Sequence, residues 1–161
     1  MKALVYVSSD KKEDSKVEKP RILHDGDTVV VKLLNTTICE TDLHILSDEV
    51  SADKEGTILG HEGIGIIEEV GPGVENFKVG DKVFISCVTT CGSCDDCKKG
   101  LYAHCPHGGW IIGHLIDDTK AEYVHIPYAV GIPNCSVLFT NSYSHEWLRQ
   151  QPFKIFRCYT Y

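Results

Sequence analysis

No stretch of this 161-residue chain approaches the roughly 20 apolar residues that a membrane-crossing helix needs. The apolar run from Met1 to Val7 is followed at once by Asp10, Lys11, Lys12, Glu13 and Asp14, which excludes a secretory h-region. Positive charge is also in deficit. Sixteen Lys and Arg stand against 23 Asp and Glu, a net charge of -7, which argues against general affinity for nucleic acid. Helical periodicity is thin, and there are no heptads and no internal repeat. A dinucleotide-binding Gly-x-Gly-x-x-Gly unit is missing as well. Gly63-Ile64-Gly65 lacks the third glycine, and no helix is expected after Gly71-Pro72-Gly73. With neither an export nor a membrane signal, a reducing cytoplasmic setting is expected. The eight cysteines then read as thiols and ligands.

What is present suits a globular chain: 42% hydrophobic and 24% charged residues, enough for one domain with a core. Lys2 to Val7, Thr28 to Leu34, Gly63 to Val70, Val83 to Ser86 and Ala121 to Pro127 are rich in strand formers. Glycine turns separate several of them, as at Gly71-Pro72-Gly73 and Val79-Gly80-Asp81-Lys82. Thr41 to Leu46 predicts a short helix with Thr41 or Asp42 near its cap. The expected fold is mainly β, a barrel or partly open sandwich.

Cys91, Cys94, Cys97 and Cys105 form a C-x2-C-x2-C-x7-C string. Four thiolates so close in sequence can enclose one tetrahedral ion, a closed shell that supports structure and performs no chemistry. A structural zinc is the expected occupant. Two disulfides, metal-free thiols and an iron–sulfur cluster are the alternatives.

A second group holds Cys39, Thr41, Asp42, His44, His61 and Glu62. His61-Glu62 lies between Gly60 and Gly63, a setting suited to a bend that aims both side chains one way. Cys39 and His61 offer a soft thiolate and an imidazole, and Asp42 could accept the remaining ring N–H of His61. Spacing alone does not establish a metal site here.

The order of several motifs is more specific. Cys39-Glu40-Thr41-Asp42-Leu43-His44 is followed by Gly60-His61-Glu62-Gly63-Ile64-Gly65, then by Gly71-Pro72-Gly73-Val74. Phe77-Lys78-Val79-Gly80-Asp81-Lys82-Val83 and the four cysteines come next. Together they closely resemble the zinc-dependent alcohol dehydrogenases of the medium-chain dehydrogenase/reductase family, over about residues 1 to 130. The resemblance implies a GroES-like catalytic domain, a partly open β-barrel with a structural zinc lobe at about 88–107. It implies a catalytic zinc on Cys39 and His61 with Glu62 adjacent; two cysteines and a histidine are the ligand set known for alcohol dehydrogenase. Thr41 matches the hydroxyl beside the reacting alcohol, His44 the distal proton relay, and Cys91, Cys94, Cys97 and Cys105 the structural zinc ligands. Trp110 falls where relatives line the substrate pocket; an ordinary packing aromatic is the other reading of that residue. The implied substrate is a small alcohol, aldehyde or ketone, and the implied cofactor is NAD or NADP.

The sequence departs from that pattern in three places. It holds no dinucleotide-binding unit. Glu40 stands where relatives often carry Gly, Arg or His, and a carboxylate there would repel a pyrophosphate unless turned to solvent. Residues 132–161 differ from residues 1–131 in composition. The tail carries seven of the fourteen aromatics, no glycine and a charge of +2, against -9 for the remainder. Its Cys135, His145, Glu146 and Cys158 could ligate metal but sit in no recognisable context. The expectation is therefore a catalytic domain without its cofactor domain, inactive alone, with a truncated or frame-shifted tail that drives self-association. A non-catalytic zinc-binding interaction domain or pseudoenzyme fragment is the alternative. No nucleic-acid or membrane partner is expected.

Overall fold

The structure is a computed structural model that describes residues 1–8, 11–22, 28–50, 55–129 and the strand at 138–140. It is mainly β, with two sheets and short helices. The first sheet pairs β1 (Lys2–Ser8) with β2 (Lys11–Lys16) in antiparallel register, Lys2 opposite Lys16 and Ala3 opposite Ser15. Apolar β1 buries Ala3 and Val5 against Ile58. β2 reads Lys-Lys-Glu-Asp-Ser-Lys and is almost wholly exposed, so its strand form depends on its partner.

The second sheet is antiparallel throughout, in the order β6-β3-β4-β5-β7. Its strands are β3 (Val29–Thr36), β4 (Gly63–Val70), β5 (Lys82–Ile85), β6 (Tyr123–Ile126) and β7 (Leu138–Thr140). Val29, Val30 and Val31 in β3 are all buried, as expected of a strand flanked on both edges and covered on both faces. Val29, Val31, Ile67, Val83, Ile85, Ile112, Val124 and Ile126 form the main core. Burying each such side chain contributes about 1.5–3 kcal/mol.

The expected strands are present, Gly63–Val70 at the expected bounds and the others with ends shifted by at most two residues. The helix, α1 (Glu40–Leu46), begins one residue earlier than expected, and its cap is Cys39 rather than Thr41 or Asp42. Asp42 reaches back from the third helical position to accept the Cys39 N–H at 2.8 Å. That closure matches the back-bond of a capping box, with cysteine in the place of serine. Among the described residues no helix is long and apolar enough to cross a membrane.

The junction between the sheets positions the second residue group. Leu4 N–H donates to the Lys120 carbonyl at 2.7 Å, and Lys120 N–H donates to the Leu59 carbonyl at 2.9 Å. The chain at Leu59 to His61 thus runs between β1 and the segment leading into β6. Residues 1–131 and 132–161 were expected to part company. The second range lies outside the described residues except for β7, whose backbone pairs Val83 with Thr140 and Ile85 with Leu138.

Candidate metal centres

The four cysteines converge. Cys94 caps α2 (Asp95–Lys98) and accepts the Cys97 N–H on its sulfur at 3.4 Å; Cys97 sits within that helix. A 3-10 turn at Tyr102–His104 then delivers Cys105. Cys91 N–H donates to the Cys105 sulfur at 3.4 Å. Thr89 and Gly109 exchange backbone hydrogen bonds of 2.9 and 2.7 Å and close the lobe at its base.

All four sulfurs lie within 4.8 Å of one another, the one such metal-capable group among the described residues. The Cys91–Cys105 and Cys94–Cys105 sulfur separations are 3.6 and 3.9 Å. A tetrahedron with zinc–sulfur bonds of about 2.3 Å has edges of about 3.8 Å, so the residues fit one zinc ion. The six described cysteines are free thiols, and these separations are far beyond the roughly 2.05 Å of a disulfide. A multi-iron cluster would need the sulfurs farther apart. Backbone N–H groups, that of Ser93 first, pull the Cys91 thiol down to about 6, while burial pushes Cys97 up to about 12. Four thiolates this close repel one another, and a divalent cation is what stabilises them together.

The second group lies at the start of α1 and at the Gly60-His61 bend. Gly60 has φ +99°, and a Cβ on it would meet Thr119 Oγ1 at 2.5 Å. The bend is therefore open only to glycine, and it turns His61 inward. The His61 side chain is 3% exposed, and neither ring nitrogen has a hydrogen-bond partner among the described residues. Burial lowers the His61 pKa, with Lys120 adding to the shift and Asp42 and Glu62 opposing it. The neutral imidazole so favoured is the form that ligates metals. Cys39 is also buried. A buried thiol and a buried imidazole whose nitrogens have no partner among the described residues offer the donor types that a soft divalent ion takes.

The other expected residues are placed as follows. Thr41 Oγ1 lies 3.7 Å from the Cys39 sulfur. Glu62 accepts from Thr37 Oγ1 at 2.9 Å. His44 stands on the solvent side of α1, with Nδ1 2.5 Å from Glu49 Oε2. Asp42 was expected to bond His61, but its Oδ1 stands 3.9 Å from Nδ1, too far for a hydrogen bond. The reason is the other oxygen, Oδ2, which is held by Cys39 N–H and by Lys120 Nζ at 2.6 Å. Glu40 is turned to solvent, its side chain 86% exposed, which screens its charge. Trp110 is 38% exposed and stacks on His114, with ring centroids 4.3 Å apart at 12°. Cys135, His145, Glu146 and Cys158 lie outside the described residues.

Sequence reasoning missed Lys120, His114 and Asp118. Asp117-Asp118-Thr119-Lys120 reads as a polar surface turn, yet Asp118, Thr119 and the Lys120 side chain are buried. No local signal marks that burial, which the packing of β1 and Leu59 imposes.

The sequence model of the alcohol dehydrogenase GroES-like domain matches residues 25–134. The chain belongs to that family. A zinc-type alcohol dehydrogenase-like protein of Schizosaccharomyces pombe is 37% identical over 149 residues, covering 80% of this chain and 35% of that protein. An alcohol dehydrogenase of Geobacillus stearothermophilus is 41% identical over 122 residues, covering 73% of this chain and 35% of its own length. The apo form of a zinc-dependent alcohol dehydrogenase 2 from Streptococcus pneumonia superposes with a TM-score of 0.78 at 50% identity, covering 87% of this chain and 38% of that one. The family domain thus spans about a third of the length of these relatives.

Proposed function

We propose that this chain is the catalytic domain of a zinc-dependent alcohol dehydrogenase with two zinc sites, one structural and one catalytic. Cys91, Cys94, Cys97 and Cys105 hold the structural ion. Cys39 and His61, with Glu62 beside them, hold the catalytic one. The reaction interconverts small alcohols with aldehydes or ketones by hydride exchange with NAD or NADP. The observation that carries this reading is His61, buried 3.9 Å from the Asp42 that bonds the Cys39 N–H, with both ring nitrogens unpartnered among the described residues.

Zinc, when bound, supplies Lewis acidity that makes an alcohol easier to deprotonate. The chain's own residues then manage the proton. The Thr41 hydroxyl, 3.7 Å from the Cys39 sulfur, accepts it and gives up its own proton toward His44. His44, one turn further along the exposed side of α1, passes it to solvent, with Glu49 holding its Nδ1. Trp110 borders the substrate. Its loop reaches the site through Gly113, where an added Cβ would overlap the Gly60 carbonyl. Ile38 and Leu43, exposed beside Cys39, offer apolar surface for a cofactor-bearing domain to cover.

Metal analysis tests this reading. Two zinc ions per chain are expected, and His61→Ala should retain one. Retention of both would remove His61 from the ligand set. A second reading is a zinc-binding interaction domain without turnover. Nicotinamide fluorescence, with and without a longer relative as partner subunit, separates the two. Binding only with that partner supports the dehydrogenase, and no binding in either case supports the interaction domain.

A further inference from the structure

Lys120 is a buried lysine with a single carboxylate partner in its ion pairs among the described residues. Its side chain is 8% exposed, and Nζ lies 2.6 Å from Asp42 Oδ2. Lysine is rarely buried unless paired. The Asp42 side chain is itself 3% exposed, and the same oxygen accepts the Cys39 N–H at 2.8 Å. Lys120 also grips the other ligand-bearing segment. Its N–H donates to the Leu59 carbonyl at 2.9 Å, and its Cγ lies 3.0 Å from where a Cβ on Gly60 would stand. One residue therefore joins the segment that ends in Cys39 to the segment that leads into His61. The second Asp42 oxygen, Oδ1, has no hydrogen-bond partner among the described residues and stands 3.9 Å from His61 Nδ1.

We propose that Lys120 is a positioning residue of the Cys39–His61 centre. It holds Asp42 through Oδ2, which fixes the carboxylate with Oδ1 facing His61 Nδ1 at 3.9 Å, beyond bonding distance, and so sets the charge beside that ring. The inference rests on the reading of Cys39 and His61 as zinc ligands. A carboxylate that orients a ligating histidine is commonly worth 10–100-fold in metal affinity. Here the carboxylate would swing or relax without its cation, because no other Lys or Arg among the described residues forms an ion pair with Asp42. Removing one partner of a buried pair also leaves the other charge uncompensated.

The test uses the full chain with cobalt in place of zinc, so that each site is read from its own visible absorption. Lys120→Met should weaken cobalt binding at the Cys39–His61 site about 10–100-fold and shift its bands. The four-cysteine bands should stay unchanged. Lys120→Arg, which keeps a cation over Asp42, should recover most of the affinity and the band positions. If Lys120→Met does not fold, the pair Asp42→Asn and Asp42→Asn/Lys120→Met carries the test, since the double variant leaves no unpaired charge. Lys120 acts through Asp42, so these two should bind cobalt alike. Wild-type affinity and bands in Lys120→Met, or a double variant much weaker than Asp42→Asn, would overturn the proposal. His61→Ala separates the two levels. Loss of one cobalt class there with an unaffected Lys120→Met overturns only the role of Lys120. Retention of both classes overturns the ligand reading and this proposal with it.

Discussion

At the scale of single residues, two buried positions carry measurable consequences. Asp118 is buried with neither carboxylate oxygen partnered among the described residues. Desolvation first, then Asp42 and Asp117, raise its pKa well above the ordinary 3.8. The folded chain therefore binds more protons than the unfolded chain in the window above 3.8, and stability falls as pH rises through it. Asp118→Ala should raise stability by about 1–3 kcal/mol at neutral pH, the cost of a buried unsatisfied polar group. Urea unfolding should show a larger gain at pH 8 than at pH 5. An equal gain at both would mean that the carboxyl does not titrate differently on folding. Gly113 is the second position. It has φ +75°, and an added Cβ would overlap the Gly60 carbonyl. Gly113→Ala should cost about 2–4 kcal/mol from left-handed backbone and overpacking together. The displaced carbonyl belongs to the residue before His61, so zinc content should fall below two per chain. A variant as stable as the parent in urea would contradict this close approach.

At the scale of elements, legibility tracked hydrophobicity. β3, β4, β5 and β6 carry valine and isoleucine runs and could be read from them. β2 could not, because a strand of Lys-Lys-Glu-Asp-Ser-Lys exists only by pairing with β1. The start of α1 was misplaced because cysteine is not a usual cap, and only the Asp42 back-bond makes it one. The four-residue helix α2 was missed because it follows from the cysteine geometry. The four-cysteine lobe is an element of its own kind, closed at its base by the Thr89–Gly109 pair. Structural zinc contributes about 10–16 kcal/mol of apparent binding free energy in small domains. Cys97→Ser should therefore remove one zinc ion and disorder residues 88–107, while amides of β3 and β4 keep their protection from hydrogen exchange. Collapse of that protection would show the lobe to be integral to the sheet.

At the scale of the whole molecule, β7 ties the far end of the chain to the sheet by covering the edge of β5. The aromatic tail was expected to drive self-association, and its residues lie outside the described ones apart from that strand. Deleting residues 141–161 should lower light scattering and leave the β5–β7 pairing in place. Deleting residues 132–161 should also lower the unfolding midpoint, because β5 then has an unpaired edge. Equal midpoints for the two deletions would remove β7 from the stabilising set. The sequence by itself determined the four-cysteine lobe, since ligands within fifteen residues of one another need only local folding to converge. It also determined the family, through motifs whose order is specific. Tertiary structure alone decided the surroundings of the second residue group. Asp42, His61 and Lys120 are brought together by a bend at Gly60 and by hydrogen bonds from Leu4 and Lys120 across the junction of two sheets. Local pattern carries periodicity and turn chemistry, but long-range burial, which made a surface-looking lysine the partner of Asp42, depends on which strands meet.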